Sequence, residues 1–472
     1  MKTLIRGPLT ALVYSAGLLL AAGGHGQSLE APALENPGFY CSPAPCVLPP
    51  TQASEGGGTV TDTPIVSNPL NTKQLLLGSV DFNCLGQSSL GFHLSRDGGS
   101  TWQRVLCMPT ITIEGRIWDP DDEPSVGYDR KGMAYVAGLY FCTGYCYRYA
   151  AGLVAVQKST DGTDWSQPVI ALRDPGETTP FETSLVVDTS PGSPRVNSVY
   201  VSGVMKLSSG WQVQVSHSTD GGVTWKQSAV GTVQKKTEPD DFTRMAVGKD
   251  GTAYVSWQYC RAMGGSGACP TVYFMFSKST DGGNTWSAPQ QIATVNMPYN
   301  WLLPNTNERV YNYPAIGADT SDGPYSGNLY AAMYTWTGTF LQVQVIRSTD
   351  GGNTWSQPVP VAPPSATHDQ FFPALSVSPT GLVGVSWLDR RNDPGNIDYQ
   401  AFAAISTDGG QSFQPNWQLT TAFSDPKTNG TENNWMGDYT GSTWAGQDFI
   451  AAWMDSSNGV DMQEVIGGIR LK

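Results

Sequence analysis

One short pattern recurs six times along the chain. It appears as SRDGGSTW (Ser95 to Trp102), STDGTDW (Ser159 to Trp165), STDGGVTW (Ser218 to Trp225) and STDGGNTW (Ser279 to Trp286). It returns as STDGGNTW (Ser348 to Trp355) and STDGGQSF (Ser406 to Phe413). The aspartates Asp97, Asp161, Asp220, Asp281, Asp350 and Asp408 are spaced by 64, 59, 61, 69 and 58 residues. A period of this size means one supersecondary unit repeated, each burying its apolar face against the next. The pattern itself reads as a hairpin turn. Asp and Ser side chains hydrogen-bond nearby backbone N–H groups, and the Gly pair admits the positive φ of a tight loop. The Trp or Phe then opens the next strand as an apolar plug. These six aspartates are therefore read as structural.

Ahead of each turn lie short alternating β-branched and aromatic runs broken by Gly, Asp or Pro. Examples are PSVGYDRKGMAYVAGLYF, FTRMAVGKDGTAYVSWQY and PALSVSPTGLVGVSWLD. They read as strand, turn, strand, then a third strand into the repeat, with a fourth after it. Four antiparallel strands per sixty residues make one blade of a β-propeller. The fold expected is all-β, with seven blades favoured and six as the alternative. The seventh unit ends with the chain after three strands, so its outer strand is expected from residues near Thr59 to Ile65. The domain reading is a signal peptide over 1–26, a Pro/Ala/Gly-rich arm over 27–55 and the propeller over 56–472.

Composition agrees with an exported all-β chain. Lys2 and Arg6 precede an apolar run from Leu9 to Ala22, too short to span a bilayer comfortably. No later segment reads as a membrane span, so a secreted protein, extracellular or periplasmic, is expected. Eight cysteines in such a chain predict disulfides. Neighbours in sequence pair as 41–46, 84–107, 142–146 and 260–269. With four histidines and no CxxC pair, neither a metal nor another cofactor is expected. The net charge of −13, without a Lys/Arg cluster, argues against nucleic acid as partner. A monomer is expected.

Strands of a blade alternate in direction, so their loops fall on two faces. The repeated turns join the third and fourth strands. Loops entering the first strand, and those joining the second and third, share the other face, where function is expected. Those loops carry Arg116, Asp119, Asp121, Asp122, Glu123, Glu182, Asp240, Asp241, Arg309, Tyr311, Tyr313, His368, Asp369, Trp435 and Asp438. They also carry Arg148, Arg261, Asp389, Arg390, Arg391 and Asp393, and the pairs 142–146 and 260–269 would stiffen them. Carboxylates and arginines converging on one mouth suit glycoside chemistry: a carboxylate pair supplies acid and base, and guanidinium forks hold anionic sugars. The run Asp119 to Glu123 has oxygen ligands for Ca²⁺, but its spacing matches no loop consensus.

The six S-T-D-G-G-x-T-W segments resemble the Asp boxes, or bacterial neuraminidase (BNR) repeats, of the sialidase superfamily, over about residues 60 to 472. The resemblance implies a propeller with an exo-α-sialidase-like activity on extracellular glycans or glycoconjugates. In such enzymes three arginines hold the sugar carboxylate, a Tyr paired with Glu is the nucleophile and an Asp is the acid–base. On this sequence the roles fall to Tyr313 with Glu123 or Glu182, to Asp122 or Asp241, and to a clamp drawn from Arg116, Arg244, Arg309, Arg390 and Arg391. The family carries Arg-Ile-Pro on its first strand. That place here reads Asp62-Thr63-Pro64-Ile65, and the nearest match, Arg116-Ile117-Trp118, comes one unit late. The same boxes occur in non-catalytic propellers, so a module binding a glycan, peptide or partner protein is the alternative.

Overall fold

The structure is a computed structural model. It describes residues 43–84, 89–146, 151–174, 179–263, 268–430 and 435–472. The signal-peptide region, Cys41 and Arg148 lie outside the described residues.

Seven antiparallel sheets form seven blades, with no α-helix among the described residues. The first, innermost strands are Ile65–Asn68, Arg116–Tyr128, Pro180–Val187, Asp240–Val247, Ala315–Ala318, Gln370–Val377 and Gly441–Ala445. Blades are numbered 1 to 7 in that order, with strands a to d running outward. Apolar clusters fill the space between neighbouring blades. Indoles on the b strands anchor them: Trp257, Trp387 and Trp453 are buried, and their N–H groups donate to Asp240, Asp389 and Asp455 at 2.8, 2.7 and 3.1 Å. A buried indole needs such a partner.

The ring closes differently from the expectation. The outer strand of blade 7 is Cys46–Gln52, paired antiparallel with Gln463–Arg470. Residues Val60–Thr61 and Ile65–Asn68 instead pair with Asn71–Asp81 inside blade 1. The closing strand thus comes from the stretch read as an arm. Closure satisfies backbone groups that would otherwise form an exposed edge.

Every repeated turn joins strands c and d. In the fourth, Ser279 Oγ donates to Asp281 Oδ1 at 2.8 Å and accepts from Gly283 N at 2.8 Å. Asp281 also accepts from Thr285 N at 2.9 Å and Thr285 Oγ1 at 2.6 Å. These bonds hold the Asp281 carboxyl down at about 2, the Thr285 hydroxyl contributing most. Turns also link blades: Lys158, Arg195 and Lys278 each reach a backbone carbonyl in the turn of the following blade, at 2.6, 2.7 and 2.8 Å. The aromatic ending each turn is a full plug only at Phe413. Trp102, Trp165, Trp225, Trp286 and Trp355 are half-buried, because their edges reach the solvent at the blade margin.

Disulfides join Cys84–Cys107, Cys142–Cys146 and Cys260–Cys269. Cys46 is also disulfide-bonded, and no described cysteine is free.

Candidate functional site

The mouth is built by one device used repeatedly. Strand a enters with an extra residue against strand b. Three residues from Asp122 to Ser125 face two on the partner strand, and the same slip occurs at Phe181/Ser184, Asp241/Arg244 and Phe371/Ala374. In blade 1 the step from Thr61 to Ile65 spans the equivalent bulge. The residue at its apex takes a positive φ: Asp62 57°, Glu123 61°, Glu182 55°, Phe242 54° and Phe372 49°. Non-glycine residues adopt this region only when their surroundings enforce it. A bulge re-aims side chains that a regular strand would send to its two faces. The apex is followed by Thr or Pro in all five, at Thr63, Pro124, Thr183, Thr243 and Pro373, and Pro314 and Thr440 follow Tyr313 and Tyr439 at the same place in blades 5 and 7. The threonines lock blade to blade, since Thr243 Oγ1 donates to Glu182 O and Thr440 Oγ1 to Phe372 O, both at 2.7 Å.

The bulges gather Asp62, Asp122, Glu123, Glu182, Asp241 and Asp438 with Tyr313, Tyr439, Arg244 and Arg309. The Tyr313 hydroxyl donates to Glu182, joining blade 5 to blade 3 across the mouth. Glu123 accepts the backbone N–H groups of Glu182 and Thr183. Asp62 does the same for Asp438 at 2.6 Å and Tyr439 at 3.2 Å. Arg244 stacks on the rings of Tyr313 at 4.0 Å and Tyr439 at 4.4 Å. Arg309 pairs with Asp438 at 3.4 Å. Below them a cavity of about 210 Å³ runs into the ring, lined by Arg244, Ser125, Ser184 and Ser442 among apolar side chains.

Burial with few counter-charges raises these carboxyls. Asp122 is pushed up to about 7 by desolvation and by Asp438. Asp241 also rises to about 7, chiefly by desolvation, and Glu123 to about 8 by desolvation and Asp122. Glu182 stands well above the ordinary range, from desolvation and then Glu123. Desolvation and Glu182 likewise raise the Tyr313 phenol, against the opposing pull of Arg244.

Of the residues singled out in the sequence, Asp122, Glu123, Glu182, Asp241, Arg244, Arg309 and Tyr313 come together. Arg116, Arg390 and Arg391 do not join them. Arg116 opens strand a of blade 2, six residues and roughly 20 Å of extended chain before Asp122. Arg390 is fully buried, bonded to Pro304 O at 2.7 Å and Asp369 at 3.3 Å. Arg391 is paired with Asp389 and lies over Phe402 at 4.3 Å. The acidic run is divided too: Asp119 is taken by Thr110 and Thr143, and Asp121 points to solvent. No metal-type cluster of His, Cys, Asp or Glu occurs among the described residues. Sequence reading passed over Asp62, Phe242 and Tyr439. A signal was present: in six of the seven units a Thr or Pro stands two residues before the first large apolar residue of strand a, as in Thr63 before Ile65 and Thr183 before Leu185.

The fold and mouth define a seven-bladed propeller with an acidic axial site. No family model and no curated protein matches the chain. Solved structures do. An ulvan lyase of a polysaccharide lyase family matches with a TM-score of 0.52 at 12% identity, over 88% of this chain and 95% of that one. The α-L-arabinofuranosidase Arb93A of Fusarium graminearum gives 0.46 at 13%, over 76% and 98%. A Hadza microbial sialidase gives 0.44 at 14%, over 84% and 76%. These neighbours are glycan-active propellers, and at such identities the likeness shows the fold.

Proposed function

We propose that the protein is an exported glycoside hydrolase that removes terminal sugars from extracellular glycans. The observation carrying this reading is the hydrogen bond from Tyr313 to Glu182 within a ring of carboxyls of raised pKa. The six turns, read as BNR repeats, fit the same reading. So do three disulfides and the finding that no helix among the described residues is long and apolar enough to cross a membrane.

The chemistry is a double displacement. Tyr313 Oη attacks the anomeric carbon while its proton passes to Glu182 in its ionised form, the raised pKa making that carboxylate a stronger base than an ordinary one. The bond to the leaving oxygen breaks as Asp122 or Asp241 protonates that oxygen. Water, deprotonated by the same Asp, then displaces the tyrosyl oxygen, which recovers its proton from Glu182. A neutral phenol avoids setting a charged nucleophile among carboxylates, and Arg244 on its ring face favours the developing phenolate. A pKa near 7 suits an acid working near neutral pH.

A panel of fluorogenic glycosides, sialoside included, tests this on purified protein. Turnover of at least one, lost in Tyr313→Phe, is expected; no turnover across the panel overturns it. The second reading is a non-catalytic propeller gripping a glycan, peptide or partner protein. It is favoured by the arginines: among the described residues, two rather than three meet the cluster.

A further inference from the structure

Away from the mouth, one group of ionisable side chains is buried with no part in the acid–base chemistry. His93 is fully buried on strand c of blade 1 (Leu90–Ser95), opposite Leu77 on strand b and Arg104 on strand d (Gln103–Cys107). Its Nδ1 lies 3.0 Å from Oε2 of Glu464, which is fully buried on strand c of blade 7. Its Nε2 lies 3.9 Å from Asp81, at the end of strand b of blade 1. Arg104 is engaged by Asp81 at 3.2 Å and Glu55 at 2.7 Å. Among the described residues, His93 is the one basic group paired with Glu464.

The pair bridges the seam where the ring closes. Glu464 N donates to Ser54 Oγ at 3.1 Å, and Glu464 O accepts from Ala53 N at 2.8 Å, just beyond the closing strand Cys46–Gln52. Leu48, Leu75, Leu77 and Ile466 fill the same seam with apolar side chains. The mouth depends on this seam too, since Asp62 of blade 1 holds the N–H groups of Asp438 and Tyr439 of blade 7.

We infer that His93 and Glu464 form a proton-operated latch: one proton on the pair holds blade 1 to blade 7, and its loss releases the closing strand and loosens the mouth. A buried carboxylate is stable only beside an opposite charge. With His93 protonated, the two charges match. With His93 neutral, an ionised Glu464 is left alone, and the seam relieves it by opening to water. Burial pulls the imidazole down, but Glu464 and Asp81, against Arg104, hold it above its ordinary value. Burial raises Glu464 in turn, opposed by His93. Both directions keep a proton on the closed seam, whereas a solvated histidine gives its proton up above about pH 6.5. Opening above that pH therefore releases a proton, and becomes up to about tenfold more frequent per pH unit until the closed pair itself titrates.

Hydrogen exchange read by mass spectrometry between about pH 6 and 9, corrected for intrinsic exchange, tests this on the purified protein. Peptides covering Cys46–Gln52 should lose protection as pH rises, by up to about tenfold per unit. Peptides covering Val199–Leu207, a strand of blade 3 remote from the pair, should lose far less. Combining His93→Gln with Glu464→Gln removes both charges and should abolish the pH dependence of the seam. Glu464→Gln alone should do the same, and stands in if the double variant does not fold. Seam protection indifferent to pH overturns the inference. So does equal loss in both regions, which would mark global unfolding driven by the mouth carboxyls, or a seam dependence that survives Glu464→Gln.

Discussion

Tyr313 and Asp281 show how differently one side chain can matter in this fold. Tyr313→Phe keeps the ring against Phe242 and Tyr439 but removes the attacking oxygen, so kcat should fall by about 10⁴-fold. Losing the acid, in Asp122→Asn or Asp241→Asn, should cost about 10²–10⁴-fold on glycosides with poor leaving groups. The acid must stay protonated, so kcat/KM should decline above pH 7, and that limb should vanish in whichever Asn variant removes the acid. A limb retained in both variants would place the acid elsewhere. Asp281→Ala, on the opposite face, should cost about 1–2 kcal/mol of stability through its lost turn bonds and leave turnover intact. Its carboxyl titrates lower folded than unfolded. Its contribution is therefore full above about pH 4 and disappears as pH falls toward 2. An inactive but equally stable Asp281→Ala would contradict the assignment of faces.

At the scale of the element, the c–d turn and the bulge divide stability from chemistry. Trp286 is half-buried, with its N–H on Ser228 Oγ at 3.0 Å, so Trp286→Ala should cost about 2–3 kcal/mol rather than the larger penalty of a sealed core indole. The disulfides rank by the loop they close. Replacing both cysteines of Cys84–Cys107, 23 residues apart, should cost about 3 kcal/mol, against about 2 kcal/mol for Cys142–Cys146, 4 residues apart. Urea midpoints would give the order, and the reverse would contradict the loop argument. The turns were legible in the sequence because their chemistry is local: Ser, Asp and Gly act within eight residues. The bulges were not, because a bulge is a slip in register against the neighbouring strand; it was the family resemblance, not the local pattern, that set Tyr313 beside Glu123 or Glu182, and Tyr313 meets Glu182 from 131 residues away. A polar residue entering a strand reads the same whether it points along the axis or into water. Arg390 illustrates the error. A loop arginine flanked by Asp389 and Arg391 looks solvated, yet Asp369 and the Pro304 carbonyl draw it fully inside.

The whole molecule should record the acidic mouth in its pH–stability curve. Asp122 and Asp241 at about 7, and Glu123 and Asp240 at about 8, hold protons in the folded ring that the unfolded chain releases near pH 4. Folding therefore takes up protons between those limits, and stability falls as pH rises from about 5 to 8. Below about pH 4 the turn aspartates lose their bonds, so Tm should peak near pH 4–5. A Tm that rises steadily from pH 5 to 8 would show that the carboxyls are ionised and well solvated. Six blades could be counted from repeat spacing because each unit is similar to its neighbour, and the seventh, which lacks the turn, was favoured from the pattern of its three strands. The seam could not be placed, because Cys46–Gln52, with two prolines and one alternation of burial, carries little strand pattern of its own.

That seam gives the chain a clock. Ser54 and Gln463, which share a hydrogen bond across it, are separated by 409 residues. At ordinary synthesis rates the first of them waits roughly 20–80 s for the second to be made. For that interval the earliest strand is an open edge with no partner. Ring closure therefore cannot precede the making of the last strand.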